Sequence, residues 1–203
     1  MIIETSFEQH DPEWYDARIY SVGATGISNI VTSTGKLSGS RENFLIEKAS
    51  QHLTGRVKPI YPTYEMKWGT EFESEAREHF SFVKDIEVST CAMIFSDEKR
   101  NWHVSPDGTM LEIEEGLEIK CPMLKTHLEY LKKKTFPGAY RLQVQTSLAL
   151  TGWDVWWFMS YFPGGVKNLI LPVRRDEQLI TIIKDEIERF LDDLDELVTK
   201  LKA

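Results

Sequence analysis

The chain has 203 residues, enough for one domain, or one with a small appendage, and for a substantial buried core. Its 24 Lys and Arg against 32 Asp and Glu, a formal net charge of −8, argue against a general nucleic-acid coat, whose signature is a basic face. Two cysteines, Cys91 and Cys121, are too few for a four-thiolate iron–sulfur cluster, have no zinc spacing with histidine, and read as small core residues in a reducing compartment.

The N-terminus, Met1 to Thr5, lacks a basic n-region and a long apolar stretch, so no secretion signal is expected. Asp11 followed by Pro12 predicts a short helix over 12–18. Gly23, Gly26 and Ser28 predict a turn over 20–30 leading into another short helix, and 33–41 reads as a Gly/Ser/Lys loop. Residues 41–53 predict a helix with Phe44, Leu45, Lys48, Ala49 and His52 along one side and Gly55 as its stop. Pro59 and Pro62 predict an extended linker. A long helix follows over about 66–84, its stripe formed by Phe72, Ala76, Phe80 and Val83.

Strands are expected at 89–95, 102–105, 110–113 and 117–121, as a meander that Pro122 ends. Helices are expected at about 124–134 and 138–150. Residues 153–161 read as a strand buried on both faces, with Trp153, Trp156 and Trp157 as core residues rather than a base-stacking platform. The apolar run there is broken by Asp154 and Ser160 and is too short to span a bilayer. A last strand at 169–173 precedes an amphipathic helix over 176–201. The expected fold class is α+β: a central mixed β-sheet flanked by helices on both faces. Residues 1–203 are expected to form a single unit, with a core of about 66–173, an N-terminal helical part, 1–65, and the C-terminal helix.

Charge is unevenly spread. Residues 176–203 hold nine acids against four bases, whereas 120–145 hold six bases (Lys120, Lys125, Lys132, Lys133, Lys134, Arg141) against one acid, Glu129. The basic stretch, Arg141 included, is where a phosphate backbone would be gripped.

It begins at the most informative motif. Ser105-Pro106-Asp107-Gly108 is followed, eleven positions after the aspartate, by Glu118-Ile119-Lys120. Residues two apart in a strand share a face, so Glu118 and Lys120 point one way and Ile119 into the core. A turn that brings Asp107 beside them gathers two carboxylates and an ammonium. Two hard oxygen ligands suit Mg²⁺, which keeps waters and takes phosphate oxygens as further ligands. A lysine there can orient or deprotonate an attacking water. Glu73, on the long helix, is a third acidic candidate. Gln143 and Gln145, two apart on a helix, cannot share a face, so at most one of them can serve such a site. His79, His103 and His127 show no partner spacing.

Five motifs in order, Trp14-x-x-x-Arg18, Trp68-Gly69-x-x-x-Glu73, Ser105-Pro106-Asp107-Gly108, Leu117-Glu118-Ile119-Lys120-Cys121-Pro122 and Tyr140-x-x-Gln143-Val144-Gln145, resemble the phage lambda exonuclease family. These are the YqaJ-type viral recombinases of the PD-(D/E)XK nuclease superfamily, with a restriction-endonuclease-like core. The resemblance implies that Asp107, Glu118 and the Ile119 carbonyl hold one metal and Glu73 a second, with Mg²⁺ as the cofactor and Mn²⁺ as a substitute. It implies that Lys120 activates the water with help from Gln143. Arg18, Thr25 (in place of a serine) and Ser105 match positions that bind a terminal 5′-phosphate, and Met66 the position of an apolar wedge.

The implied activity is a 5′-to-3′ exonuclease on double-stranded DNA ends that leaves 3′ single-stranded overhangs for homologous recombination. A trimeric ring, a single-strand annealing partner and the cytoplasm of a bacterial host are implied with it. The alternatives are a structure- or sequence-specific endonuclease of the same superfamily and a non-catalytic DNA-end-binding module, the latter disfavoured by the intact Asp107, Glu118 and Lys120.

Overall fold

Two mixed sheets of four strands each carry the chain, in a computed structural model that describes residues 1–57 and 61–202. The first sheet has the order β1 (Ile2–Glu4), β3 (Met93–Phe95), β4 (Trp102–Val104), β2 (Val22–Gly23). Its β2–β4 pair is parallel and the other two pairs are antiparallel. The second has the order β5 (Gly108–Met110), β6 (Glu115–Lys120), β7 (Val155–Ser160), β8 (Leu169–Arg174), with β6–β7 parallel between antiparallel outer pairs.

The α+β class stands, with the expected central sheet divided in two. The expected meander breaks between β4 and β5, so Ser105-Pro106-Asp107 is the seam where the chain leaves one sheet for the other. Close by, Ser89 and Thr109 exchange backbone hydrogen bonds of 2.9 and 2.8 Å.

The helices are α1 (Pro12–Ile19), α2 (Arg41–Thr54), α3 (Tyr64–Lys84), α4 (Leu124–Lys133), α5 (Arg141–Thr151) and α6 (Glu177–Lys202), with short 3-10 turns at Ala24–Asn29, Leu111–Ile113 and Gly138–Tyr140. Gly55 ends α2 in the left-handed region, as its sequence predicts. Helix α3 starts two residues earlier than expected because Thr63 caps it, its hydroxyl accepting from the Met66 N–H. Of the expected linker prolines, Pro59 lies outside the described residues. The loop over 33–41 begins in a closed hairpin, with Val31 paired to Leu37 and the Thr32 N–H donating to the Lys36 carbonyl at 2.7 Å. No helix of the described residues is long and apolar enough to cross a membrane.

The hairpin between β5 and β6 sits earlier than predicted. Leu111 and Ile113, read as strand residues, stay exposed in the 3-10 turn, and Glu114 turns the chain in the left-handed region at φ 55°. Gly108 is a strand residue rather than a turn residue. A Cβ on it would stand 2.5 Å from the Val88 side chain, so only glycine lets β5 run this close to the segment after α3.

The main core joins both sheets to α2, α5 and α6 through Ile27, Leu45, Ile94, Leu148, Trp156, Phe158 and Phe190. A second cluster packs Ala76 and Phe80 of α3 on Leu117, Ile119 and Met159. That packing lays α3 along β6 and so brings Glu73 to the seam.

Candidate active site

Strand β6 alternates as predicted. Leu117 and Ile119 pack in the core with α3, while Glu118 and Lys120 lie on the opposite face and pair with each other. Glu118 is 2% exposed, and each of its oxygens accepts from Gln143 Nε2 at 2.7 Å. The Lys120 ammonium stands 5.2 Å from the centre of the Tyr140 ring. Gln145 points elsewhere: it donates to the Arg174 carbonyl and accepts from the Asp176 N–H, tying α5 to β8 and α6. Gln143 and Gln145 thus face different partners, as their two-residue spacing on the helix dictates.

Asp107 prolongs the β5–β6 ladder. Its N–H donates to the Leu117 carbonyl at 3.1 Å, and its Oδ2 accepts from the Ile119 N–H at 2.6 Å. An extended residue presents N–H and C=O to the same edge, so the Ile119 carbonyl lies on the Asp107 side of β6. Glu73 is no solvent-facing glutamate. Its Oε1 accepts from Arg77 Nη2 at 2.7 Å, while Arg77 Nε donates to the Asp107 carbonyl at 2.5 Å. Arg77 therefore joins α3 to the seam. Arg77 was not among the residues expected at the site, although its four-residue spacing from Glu73 is the signal for such a pair.

These groups shift one another. Burial raises Glu118 and Asp107 above the ordinary carboxylate range, against the pull of Lys120. Glu73 is raised by burial and by Glu118, against Arg77 and Lys120. Burial alone would lower Lys120, but Glu118 and Asp107 override it and hold the amine above its ordinary value. Lys120 is thus an ammonium here, a donor and a local positive charge.

The expected phosphate-binding residues lie on the first-sheet side. The Arg18 guanidinium carbon stacks 4.2 Å from the Trp14 ring centre, and the Trp14 indole N–H donates to Ser105 Oγ at 3.2 Å. Arg18 Nη1 also lies 3.4 Å from Nε2 of His103, for which the sequence showed no partner. Among the described residues no carboxylate pairs with Arg18, and burial lowers its pKa.

Thr25 is exposed on the 3-10 turn after β2. Met66 is 49% exposed in the first turn of α3, so it is not a core residue. Arg141 is not brought to either group. It pairs with Asp176 at the surface and donates to the Ser33 carbonyl.

Residues 13–154 match the YqaJ-like viral recombinase domain. The chain belongs to that family. Among solved structures, the alkaline exonuclease LHK-Exo from Laribacter hongkongensis is 30% identical, with a TM-score of 0.83 over 95% of this chain and 96% of the other. The same enzyme in complex with dAMP matches with a TM-score of 0.82 at 30% identity over the same shares of both chains. A phage-related exonuclease from Haemophilus somnus shares the fold at 15% identity, with a TM-score of 0.70 over 91% of this chain and 99% of the other. No curated protein matches the chain in sequence.

A divalent metal is what the YqaJ resemblance implies, and the donor chemistry fits one. Among the described residues no group of three or more Asp, Glu, His or Cys side chains is arranged to hold a metal ion by itself. The donors present are oxygens: Asp107, Glu118 and the Ile119 carbonyl at one place, with Glu73 close enough to raise Asp107. An open set of hard oxygens suits Mg²⁺, which keeps several waters, and does not suit zinc.

Proposed function

We propose that this YqaJ-family chain is a deoxyribonuclease that degrades one strand of duplex DNA from a 5′-phosphorylated end, depends on Mg²⁺, and leaves a 3′ single-stranded overhang. One observation carries the reading. A guanidinium that no carboxylate among the described residues pairs with and an acid–lysine cluster flank the same three-residue seam, Ser105 to Asp107. The likeness to an alkaline exonuclease over nearly the whole chain supports it.

Arg18 would take the terminal phosphate through parallel N–H donors, helped by the Ser105 and Thr25 hydroxyls. Asp107, Glu118 and the Ile119 carbonyl would hold one Mg²⁺, and Glu73 a second. Mg²⁺ there would polarise the scissile phosphate and acidify a bound water. Gln143 fixes both oxygens of Glu118. Lys120 donates to the attacking water and to charge that develops on the phosphate oxygens. The water oxygen would bond to phosphorus as the bond to the 3′ oxygen of the first nucleotide breaks, with the water's proton passing to solvent and the 3′ oxygen taking one from it. A 5′-mononucleotide leaves, and the shortened strand keeps a 5′-phosphate of the kind Arg18 binds.

Met66 stands seven residues before Glu73, two turns along the same stripe of α3, about 10 Å away. There it would wedge the strands apart ahead of the cut, and Met66→Ala would slow duplex digestion more than single-strand digestion. A trimeric ring would keep an acidic protein on a polyanion, and light scattering that shows only monomer would remove that part of the reading. The overhang would pass to a single-strand annealing protein.

The deciding assay is Mg²⁺-dependent digestion of linear duplex labelled separately at its 5′ and 3′ ends, with closed circular duplex beside it. Early release of the 5′ label and an intact circle are expected. Early release of the 3′ label would overturn the polarity, and nicking of the circle would make the protein an endonuclease.

A further inference from the structure

We propose that His103 is a positioning residue for Arg18: its unprotonated Nε2 accepts from the guanidinium and aims it, without neutralising it, at a terminal phosphate monoester. The inference rests on the reading of Arg18 given above.

The tautomer follows from hydrogen-bond counting. The Ser21 hydroxyl has one hydrogen, and it donates that hydrogen to the Ala17 carbonyl at 2.8 Å. Toward His103 Nδ1, 2.6 Å away, the same oxygen can only accept. Nδ1 therefore carries the hydrogen. A neutral imidazole has only one, so Nε2 presents a lone pair to Arg18 Nη1. The ring is neutral because it is 1% exposed and because Arg18 and Lys48 stand beside it; burial first, then those two cations, press its pKa well below the ordinary histidine range.

The surroundings are built for this ring. Gly23 faces His103 in the β2–β4 register, and a Cβ there would lie 2.8 Å from Nε2. The nitrogen that meets Arg18 fills the space the missing side chain leaves. Lys48 takes no part in the pocket; its ammonium is occupied by the Arg18 and Ile19 carbonyls and Gln51. Trp14 covers a face of the same guanidinium and reaches Ser105 with its N–H. A carboxylate in place of His103 would hold Arg18 more strongly but would compete with the phosphate for its charge. A neutral acceptor fixes the direction and leaves the attraction whole.

The test compares kcat/KM on duplexes with 5′-phosphate and 5′-hydroxyl ends for the wild-type protein, Arg18→Ala, His103→Gln, His103→Asn and Gly23→Ala, each checked for folding by its melting temperature. Glutamine can put an oxygen near the Nε2 position, whereas asparagine reaches only as far as Nδ1 and keeps the Ser21 contact. The wild type is expected to prefer the phosphate. His103→Asn loses about tenfold or more of that preference, the scale of one charge-assisted hydrogen bond, while His103→Gln keeps most of it.

Gly23→Ala, which presses on the ring from the neighbouring strand, shifts the preference in the same direction as asparagine and carries the test if His103→Asn does not fold. If His103→Asn and Gly23→Ala keep the wild-type preference while Arg18→Ala loses it, the role of His103 is overturned and the reading of Arg18 survives. If glutamine falls as far as asparagine, the ring is merely structural and the proposal is overturned. If the wild type shows no preference, the reading of Arg18 falls and this inference falls with it.

Discussion

On the second-sheet side of the seam Lys120 is paired with Glu118 and Arg77 with Glu73, whereas on the first-sheet side the Arg18 side chain meets, among the described residues, the face of Trp14 and the ring nitrogen of His103. The first arrangement is balanced within itself: each cation already has a carboxylate, and the surplus of acid suits an added divalent cation. The second is a cation held by neutral groups, ready for an anion from outside. Two neighbouring groups in one chain thus prepare opposite charges for two different parts of one proposed substrate. Arg141 differs from Arg18 in having a carboxylate partner, Asp176.

The sharpest way to break this contrast is to strike the balanced side. Lys120→Ala is expected to lower single-turnover cleavage by about 10²–10⁴-fold or more, while duplex affinity measured in Ca²⁺ is kept. A near wild-type rate would remove Lys120 from the chemistry. Asp107→Ala should also abolish the heat of Mn²⁺ binding in calorimetry. On the other side, Arg18→Ala is expected to erase most of the 5′-phosphate preference, about 10–100-fold, with a much smaller change on 5′-hydroxyl duplex.

A smaller effect is expected from Arg77→Met. It frees Glu73 and the Asp107 carbonyl, and should lower kcat by roughly tenfold, with KM for DNA little changed. An equal loss in KM alone would mean that Arg77 serves binding.

The smallest effect concerns stability. Burial raises the Cys91 thiol, ordinarily near 9, to about 12. Between those values the folded chain keeps a proton that the unfolded chain has lost, so stability falls as pH rises through that window. From pH 9 to 10.5 the wild type should lose up to about 2 kcal/mol more than Cys91→Ala in urea unfolding. Parallel losses in the two proteins would show that the thiol does not titrate differently on folding.

How much of this was legible in the chain depended on distance along it. The partnership of Glu118 with Lys120 lies within one strand, and the separation of Gln143 from Gln145 within one helix, so local periodicity sufficed. The contact between Arg18 and His103 spans 85 positions, and nothing in the spacing of either residue announces it. It depends on β2, a strand of two residues, too short to show a period. The same short strand completes the first sheet, so the division into two sheets was hidden with it. Leu111 and Ile113 misplaced a strand because exposed apolar residues look like core residues until the missing layer above them is seen. Lys48, read along the packed side of its helix, is indeed buried at 4% exposure, satisfied by the last carbonyls of α1, where a cation is favoured.

The seam itself is pinned at its middle and at its Asp107 end. The Pro106 carbonyl accepts from Gln9 at 2.8 Å, the same amide reaches the Cys91 carbonyl at 3.2 Å, and Asp107 is fastened to β6. On the proposed reading, Ser105 belongs to the clamp on the DNA end and Asp107 to the blade. Their separation is then a covalent ruler, two residues and at most about 7 Å of backbone. Such a ruler has one setting. On that reading it would measure the strand in equal strides whatever bases pass, and every cut would deliver a fresh end one stride further on.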